Sequence, residues 1–253
     1  MEKVAVFADP KELAEQAAQL LFAAIEDDLC SGKQPAVILA GGSTPRGCYE
    51  RLAELLKGFP EGCGRIRWFI GDERWVGADS KESNEGMVRG SLLAPLGVPE
   101  QRFFSWQAGQ GSPVGRARQY EQVLKEHFDA QERFPDLLVL GMGEDGHTAS
   151  LFPDGWAMRG GAPDPTQDAM PMSPNLPGWT AAVYAPRVQS FRLTMTASFL
   201  KLSRRIFFLV SGENKRSILS RVLNGDPALP ASWVNLGHTR FLVTRDAVDM
   251  NRL

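Results

Sequence analysis

Short apolar runs alternate along the chain with amphipathic stretches in which apolar residues recur every three to four positions. Apolar or extended patterning predicts strands at 4–7, 36–40, 66–70, 137–140, 180–184, 192–196, 206–210 and 239–243. Helical spacing predicts helices from Pro10 to Ile25, from about Pro45 to Leu56, and at 85–93, 115–128 and 213–223. The chain therefore repeats a strand–helix unit along most of its length.

This alternation predicts an α/β fold with three layers, in which a mostly parallel, Rossmann-like sheet has helices on both faces. No repeat or linker divides the 253 residues, so we expect one domain spanning 1–253. In such sheets ligands bind beyond the carboxyl ends of the strands. The stretch 153–178 is rich in Pro, Gly and Asp and predicts a long loop, which is either a lid or a surface loop without function.

Composition narrows the possible functions. The chain has 28 Lys and Arg against 30 Asp and Glu, a net charge of -2, whereas nucleic-acid binders usually have a basic excess. No apolar run approaches the length of a membrane span, and the start of the chain lacks the apolar core of a signal peptide. We therefore expect a cytoplasmic protein with no nucleic-acid or membrane partner. The three cysteines are expected to be buried reduced thiols.

The first chemical motif is Gly41-Gly42-Ser43-Thr44-Pro45, between a predicted buried strand and a helix. The glycines allow the backbone to approach a ligand closely, and Ser43 and Thr44 supply hydroxyl groups. Free N–H groups and the dipole at a helix start favour an anion, above all a phosphate. The alternative is a tight turn before a helix capped by Ser or Thr. The motif matches no nucleotide-binding fingerprint, so no such cofactor is expected.

The second motif is Asp72-Glu73-Arg74, directly after the predicted strand 66–70. Charged residues at a strand end are costly to bury unless they pair or bind something. Arg74 could hold a phosphate or a carbonyl oxygen, and Asp72 could orient Arg74 or a substrate hydroxyl. The alternative is a solvated turn in which Asp72 and Arg74 neutralise each other.

The third motif runs from Gly141 to Pro153 and contains His147. Because it follows the predicted strand 137–140, His147 should lie at the same sheet edge as the other two motifs. A histidine can take a proton from water and return it to a leaving oxygen, and Asp145 could hold its tautomer. His127 is expected to be solvated on a helix face, and no chemistry is assigned to His238.

Together, these motifs resemble those of the glucosamine-6-phosphate isomerase/6-phosphogluconolactonase family over nearly the full chain. The resemblance continues through Arg192-Leu193-Thr194-Met195-Thr196, Ser211-Gly212-Glu213-Asn214-Lys215 and Leu229-Pro230-Ala231-Ser232. The stretch Thr148-Ala149-Ser150-Leu151-Phe152-Pro153 fits the lactonase branch, because the deaminases have an Asn-Glu pair there. Met195 stands where the family usually has leucine, a swap that is nearly neutral in volume.

The resemblance implies a fold similar to that of glucosamine-6-phosphate deaminase and hydrolysis of 6-phospho-D-glucono-1,5-lactone to 6-phospho-D-gluconate in the oxidative pentose phosphate pathway. Its implied phosphate-binding residues are Gly41, Gly42, Ser43, Thr44, Arg192 and Lys215. His147 would activate water and then protonate the ring oxygen, with Asp145 and Asp72 as orienting residues. Arg74 would serve either the oxyanion or the phosphate.

No metal and no other cofactor is expected, since no His, Asp or Glu cluster has ligand spacing. No covalent nucleophile is expected either, because Ser150 lacks a Gly-x-Ser-x-Gly elbow. A monomer is expected, since no exposed apolar stripe stands out. Two alternatives stay open: an isomerase or deaminase acting on an amino-sugar phosphate, and a sugar-phosphate sensor without catalytic activity.

Overall fold

Strands and helices alternate along the computed structural model, which describes residues 3–128, 134–160 and 168–250. The α-helices are α1 (Pro10–Cys30), α2 (Ser43–Lys57), α3 (Pro60–Cys63), α4 (Asn84–Val88), α5 (Ala94–Leu96), α6 (Pro113–His127), α7 (Ala197–Leu200), α8 (Arg216–Leu223) and α9 (Pro230–Trp233). The strands are β1 (Val4–Phe7), β2 (Ala36–Leu39), β3 (Arg67–Ile70), β4 (Asp72–Arg74), β5 (Phe103–Phe104), β6 (Leu137–Leu140), β7 (Trp156–Met158), β8 (Ala169–Pro171), β9 (Thr180–Ala185), β10 (Ser190–Met195), β11 (Ile206–Val210) and β12 (Thr239–Thr244).

Seven strands form a sheet in the order β1-β12-β11-β6-β2-β3-β5. Every neighbouring pair in it is parallel. The predicted α/β fold with a mostly parallel sheet is therefore confirmed. From β2 the chain adds β3 and β5 on one side, and from β6 it adds β11 and β12 on the other. The strand order thus reverses between β2 and β6, which is where such sheets bind ligands.

The central strands form because their residues are apolar and suit burial on both faces. Strands β2, β3, β6 and β11 are buried at every position, and Arg67 is the charged residue among them. Helix α1 begins where the sequence predicts. The carboxylate of Asp9 accepts hydrogen bonds from the main-chain N–H groups of Lys11 and Glu12, and Pro10 stands in the first turn.

A second sheet has five antiparallel strands in the order β4-β10-β9-β7-β8 and was not predicted. Strand β4 begins two residues after β3 ends, so the chain passes directly from one sheet into the other. The main-chain N–H of Met195 donates to the Gly71 carbonyl at this point, at 2.9 Å. The segments predicted as extended at 180–184 and 192–196 belong to this second sheet as β9 and β10.

The prediction of a long loop through 153–178 is wrong in part, because β7 and β8 lie within it and pair with each other. Each has only three residues, too few to show an alternating pattern among the surrounding Pro, Gly and Asp. Residues 161–167 are outside the described residues. None of the described residues in this stretch lines the candidate site below, so the lid stays a prediction.

Two further expectations change in detail. The helix predicted at 85–93 consists of α4, a π-helical turn at Arg89–Leu93 and α5. All three cysteines are free thiols, but only Cys48 is buried; Cys63 is partly buried and Cys30 is exposed.

Within the described part of the chain, no helix combines the length and apolarity that a membrane crossing requires.

Candidate active site

A cavity of about 430 Å³ opens at the carboxyl ends of β2, β3, β6 and β11, where the strand order reverses. Of the predicted site residues, its lining contains Gly41, Gly42, Ser43, Thr44, Asp72, Arg74, His147 and Lys215. Asp145 and Arg192 lie outside the lining, but each is next to a residue within it. The structure therefore brings the three sequence motifs to one place.

The turn Gly41–Thr44 forms the wall that follows β2. Helix α2 begins at Ser43, and Gly42 precedes it with a φ of 104°, a conformation that favours glycine. No side chain caps this helix, so the expected alternative of a Ser- or Thr-capped helix is wrong. The main-chain N–H groups of the first turn are therefore available to an anion.

Neighbouring side chains fix this turn from both sides. The Tyr49 hydroxyl donates to the Ala40 carbonyl and accepts from the Ala40 N–H, each at 3.0 Å. The Thr44 and Ser211 hydroxyls are 2.9 Å apart, which joins the turn to the end of β11. Ser211 is a lining residue to which the sequence assigned no role, although it belongs to a quoted family motif.

Asn84 also lines the cavity, and the sequence assigned it no role. Its side-chain amide donates to the Asp72 carbonyl at 2.8 Å, and its main-chain N–H donates to Glu73 Oε1 at 2.8 Å. Only its position shortly after the charged motif could have pointed to it. Nothing in the local pattern indicates that α4 folds back onto β4.

Glu73 stabilises the contact in which α4 folds back onto β4. Its buried carboxylate accepts hydrogen bonds from the main-chain N–H groups of Arg74, Asn84 and Glu85 and from the Ser83 hydroxyl, all between 2.7 and 3.0 Å. Burial raises the pKa of Glu73, although these donors oppose the rise. The carboxylate therefore holds the start of α4 against β4, and the expected alternative of a solvated turn is wrong.

Asp72 is 6% exposed and lies at the edge of the cavity. The Ser150 hydroxyl donates to its Oδ2 at 2.7 Å. Burial raises the pKa of Asp72, and the Ser150 hydrogen bond and the charges of Arg74, His147 and Arg192 oppose that rise. Ser150 is thus a buried partner of Asp72.

Arg74 and Arg192 stand opposite each other on the neighbouring strands β4 and β10. Arg74 donates to the Glu82 carbonyl at 2.6 Å, and Arg192 donates to the Ser190 hydroxyl at 2.6 Å. Burial lowers the pKa of Arg192, and so does the nearby charge of Arg74. Two adjacent guanidinium groups repel each other, so this edge of the site favours an anion.

His147 and Asp145 form a pair on the wall that follows β6. His147 Nδ1 lies 2.6 Å from Asp145 Oδ1, and the His147 main-chain N–H donates to the same oxygen at 3.1 Å. Burial alone would raise the pKa of Asp145, but its contacts with His147 lower it to about 2. A proton on Nδ1 leaves Nε2 able to accept one from water. This geometry supports the predicted role of Asp145 in orienting His147.

The imidazole is held on its other sides too. The Phe152 ring packs against it with centroids 4.4 Å apart. A Cβ on residue 143 would lie 2.1 Å from His147 Nδ1, so the glycine at that position makes room for the ring. Arg187 lies beyond Asp145, with its Nη1 3.7 Å from Asp145 Oδ2.

Lys215 completes the cavity from the segment after β11. Burial lowers the pKa of its ammonium group, and the carboxylates of Glu144 and Asp145 oppose that change. Its Nζ is 4.0 Å from the mostly exposed Glu144 carboxylate, a loose pair that an incoming anion can replace. Asn214, to which the sequence also assigned no role, lines the cavity and donates to Glu144.

The other histidines lie away from the cavity lining. The expectation that His127 is solvated is wrong, because its partly buried ring packs edge-on against Phe104 with centroids 4.2 Å apart. His238 Nε2 is 3.1 Å from the Ser203 carbonyl, near the amino ends of the strands. Among the described residues, no group of three or more His, Cys, Asp or Glu side chains could hold a metal ion.

Residues 8–243 match the model of a family described as glucosamine-6-phosphate isomerases/6-phosphogluconolactonase. A 6-phosphogluconolactonase of Nostoc sp. is 31% identical over 237 residues, which are 91% of this chain and 90% of that protein. The 6-phosphogluconolactonase of Homo sapiens is also 31% identical, over 91% of this chain and 86% of its own length.

Solved structures agree with these sequence relationships. The crystal structure of 6-phosphogluconolactonase from Thermotoga maritima superposes with a TM-score of 0.77 at 25% identity, covering 95% of this chain and 98% of that one. A monomeric glucosamine-6-phosphate deaminase also superposes with a TM-score of 0.77, at 22% identity and over 97% and 98% of the two chains. The second likeness shows the shared fold alone.

Proposed function

The chain belongs to the family of glucosamine-6-phosphate isomerases and 6-phosphogluconolactonases, and from this premise we propose that it hydrolyses 6-phospho-D-glucono-1,5-lactone to 6-phospho-D-gluconate. One arrangement supports the lactonase reaction above all. His147, which is paired with Asp145, lines the same cavity as the free helix start at Ser43 and the ammonium group of Lys215. An acid–base group therefore faces a place for a phosphate.

The phosphate belongs between the segments that follow β2 and β11. The N–H groups at the start of α2, the linked hydroxyls of Thr44 and Ser211, and Lys215 all meet there. Helix starts and cations are the groups that bind phosphate most readily in proteins. Arg192, outside the lining, contributes its charge from β10 and makes a weaker contribution to phosphate binding than Lys215.

His147 acts on the lactone carbonyl. Its Nε2 takes a proton from a water molecule as the water oxygen bonds to the carbonyl carbon. The resulting tetrahedral oxyanion collapses as the bond from this carbon to the ring oxygen breaks, and the histidine returns the proton to that oxygen. Asp145 stays ionised throughout and stabilises the charged imidazole that exists between the two steps.

Arg74 is assigned to the oxyanion. Arg74 and His147 both line the cavity, and the charge of each opposes the rise in the pKa of the buried Asp72 carboxyl, which supports a position of the guanidinium near the acid–base group. Arg74 follows β3, whereas Lys215 follows β11, on the other side of β2 in the sheet. A fixed donor at the developing negative charge is the usual means of stabilising such an intermediate.

The proposal is tested by proton release in weak buffer with freshly made 6-phosphogluconolactone and EDTA. We expect a rate well above spontaneous hydrolysis, proportional to enzyme concentration and unaffected by EDTA. A rate equal to the background, together with ammonia release from glucosamine 6-phosphate, would contradict the lactonase and support the deaminase. Binding of 6-phosphogluconate with neither activity would indicate a sensor. The metal-free reaction, the monomeric state and the cytoplasmic location stay predictions.

A further inference from the structure

A second cavity, the amino-edge cavity, lies at the opposite end of the parallel sheet from the candidate active site. Its volume is about 720 Å³, against about 430 Å³ for the candidate site. Its lining comes mainly from residues at or just before strand starts: Lys33 and Gln34 before β2, Arg67 at the start of β3, Asp136 before β6, Ser203 and Arg204 before β11, and His238 before β12. Parallel strands bring these starts to a single edge, so the two cavities are separated by the length of the sheet.

The charged residues in the described lining of the amino-edge cavity are mainly cationic. Lys33, Arg67, Lys201 and Arg204 face a single lining carboxylate, that of Asp136. This carboxylate is already engaged, since it accepts from the Ala36 N–H at 2.9 Å and from Arg204 at 3.1 Å. An excess of positive charge in a concave site raises the local concentration of anions.

Lys201 is the cation best placed to meet a ligand. Its ammonium group makes no hydrogen bond or ion pair with any residue in the described part of the chain, whereas the side chains of Lys33 and Arg204 both contact Asp28. Arg67 is largely buried, and its guanidinium donates to the Gln34 carbonyl at 3.2 Å. The cavity is thus lined by one cation without a partner among the described residues, Lys201, and by three cations that already contact protein groups.

Ser203 adds an unused polar group. It is 1% exposed, and its hydroxyl has no hydrogen-bond partner among the residues that the structure describes. Buried hydroxyl groups without partners are uncommon in folded proteins, because their loss of hydration is not compensated. An acceptor oxygen of a bound molecule would supply the partner after a rotation about the Cα–Cβ bond.

The rim of the cavity is apolar. Phe134 is 58% exposed and Leu202 is 37% exposed, and both line it. Large apolar side chains left in solvent beside a cavity indicate a surface that another molecule covers. A ring next to four cations fits a molecule that has both an aromatic part and an anionic part.

We propose that the amino-edge cavity binds a small organic anion that has an aromatic group. Lys201 and Arg204 hold the anionic group, and Phe134 and Leu202 cover the ring. The volume of the cavity is within the range of small-molecule sites, about 300–1,000 Å³. This binding site is independent of lactone hydrolysis at the other end of the sheet.

The test is isothermal titration of the whole protein with 1-naphthyl phosphate, compared with its two halves, inorganic phosphate and 1-naphthol, with 6-phosphogluconate present at a concentration that fills the candidate active site. We expect 1-naphthyl phosphate to bind more tightly than either half. Lys201→Ala and Phe134→Ala should each weaken it about fivefold, the scale of one exposed ion pair or one aromatic contact. Lys215→Ala, in the candidate active site, and Lys11→Ala, on the first turn of α1, should leave the affinity unchanged.

The lactonase rate of the Lys201 and Phe134 variants reports their folding and should equal that of the wild type. Four results would overturn the proposal. They are no binding at millimolar ligand, equal affinity for inorganic phosphate, loss of binding in Lys215→Ala alone, and a concentration-dependent dimer in sedimentation velocity that Phe134→Ala abolishes. The last result would mean that a second copy of the chain covers the apolar rim.

Discussion

The side-chain amide of Asn84 occupies the space in which residue 41 would have a Cβ atom. A Cβ built on Gly41 lies 1.7 Å from Asn84 Oδ1 and 2.6 Å from its Nδ2, far inside any real contact. The backbone at Gly41, unlike that at Gly42, has no positive φ. Glycine is therefore needed at position 41 because of its neighbour, and the phosphate turn and the start of α4 fit together only without that Cβ.

Gly41→Ala should disrupt the site more than the fold. The Asn84 amide cannot withdraw without breaking its hydrogen bond to the Asp72 carbonyl, and the Asn84 main chain is held by Glu73, so the turn that precedes α2 has to shift instead. A displacement of about 1 Å in a substrate-positioning group can lower the rate about 100-fold. We expect kcat/KM for 6-phosphogluconolactone to fall by about that factor.

The matched control for this prediction is Gly90→Ala, because a Cβ at residue 90 meets no atom within 4 Å. Its activity should equal that of the wild type. If Gly41→Ala retained wild-type kcat/KM, Asn84 would be free to move, and the rigid fit between the turn and α4 would be wrong.

His147→Ala tests the general base. General acid–base catalysis contributes typically about 10²–10⁴-fold, so kcat should fall within this range after spontaneous hydrolysis is subtracted. Asp145→Asn should cause a smaller loss, since the base remains but its charged partner is removed. His238→Gln is the matched control, because His238 lies at the amino ends of the strands. Near-wild-type turnover in His147→Ala would remove the histidine from the mechanism.

Lys215 and Arg74 should separate into two kinetic classes when each is changed to alanine. A charge-assisted hydrogen bond contributes about 1.5–3 kcal/mol, so Lys215→Ala should raise KM for the phosphorylated lactone about 10- to 100-fold and leave unphosphorylated gluconolactone unaffected. Arg74→Ala should lower kcat on both lactones by about 10²–10³-fold, as expected of an oxyanion donor. A KM effect of Arg74→Ala that is confined to the phosphorylated lactone would reassign that arginine to the phosphate.

The residues that the sequence could identify are those whose role depends on their place directly after a strand. Gly41, Asp72 and His147 each belong to a motif that follows a strand with an apolar pattern, and parallel strands end at the same edge. Asn84 could not be identified in this way, and neither could the role of Glu73. Their roles depend on α4 folding back onto β4, a contact between segments that local patterning does not show.

The second sheet shows the same limit. Strands β4, β7 and β8 have three residues each, and their pairing partners are distant in sequence. A strand of this length has no readable period, so only the tertiary structure determines that it is a strand. His127 was misjudged for a related reason: its helix has charged neighbours, but β5 places Phe104 against its ring.

Asp72→Asn should make the protein more stable while it slows the reaction. Burial raises the pKa of this carboxyl in the folded protein above its value of about 3.9 in the unfolded chain. Between these two pKa values the folded protein holds a proton that the unfolded chain has released. The free energy of unfolding of the wild type therefore falls as the pH rises from the unfolded pKa to the folded pKa, and at neutral pH it stays below its value in acid. Asparagine has no such titration, and its side-chain oxygen can still accept the Ser150 hydrogen bond.

Chemical unfolding at several pH values between 4 and 7.5 measures this difference. We expect Asp72→Asn to exceed the wild type in stability at pH 7.5 and to converge with it towards pH 4, while kcat falls up to about 100-fold because an orienting charge is lost. Asp79→Asn, at an exposed position of the same region, should change neither quantity. Lower stability of Asp72→Asn at pH 7.5 would mean that Arg74, Arg192 and His147 more than compensate the buried charge, and that this carboxylate stabilises the fold as well as the site.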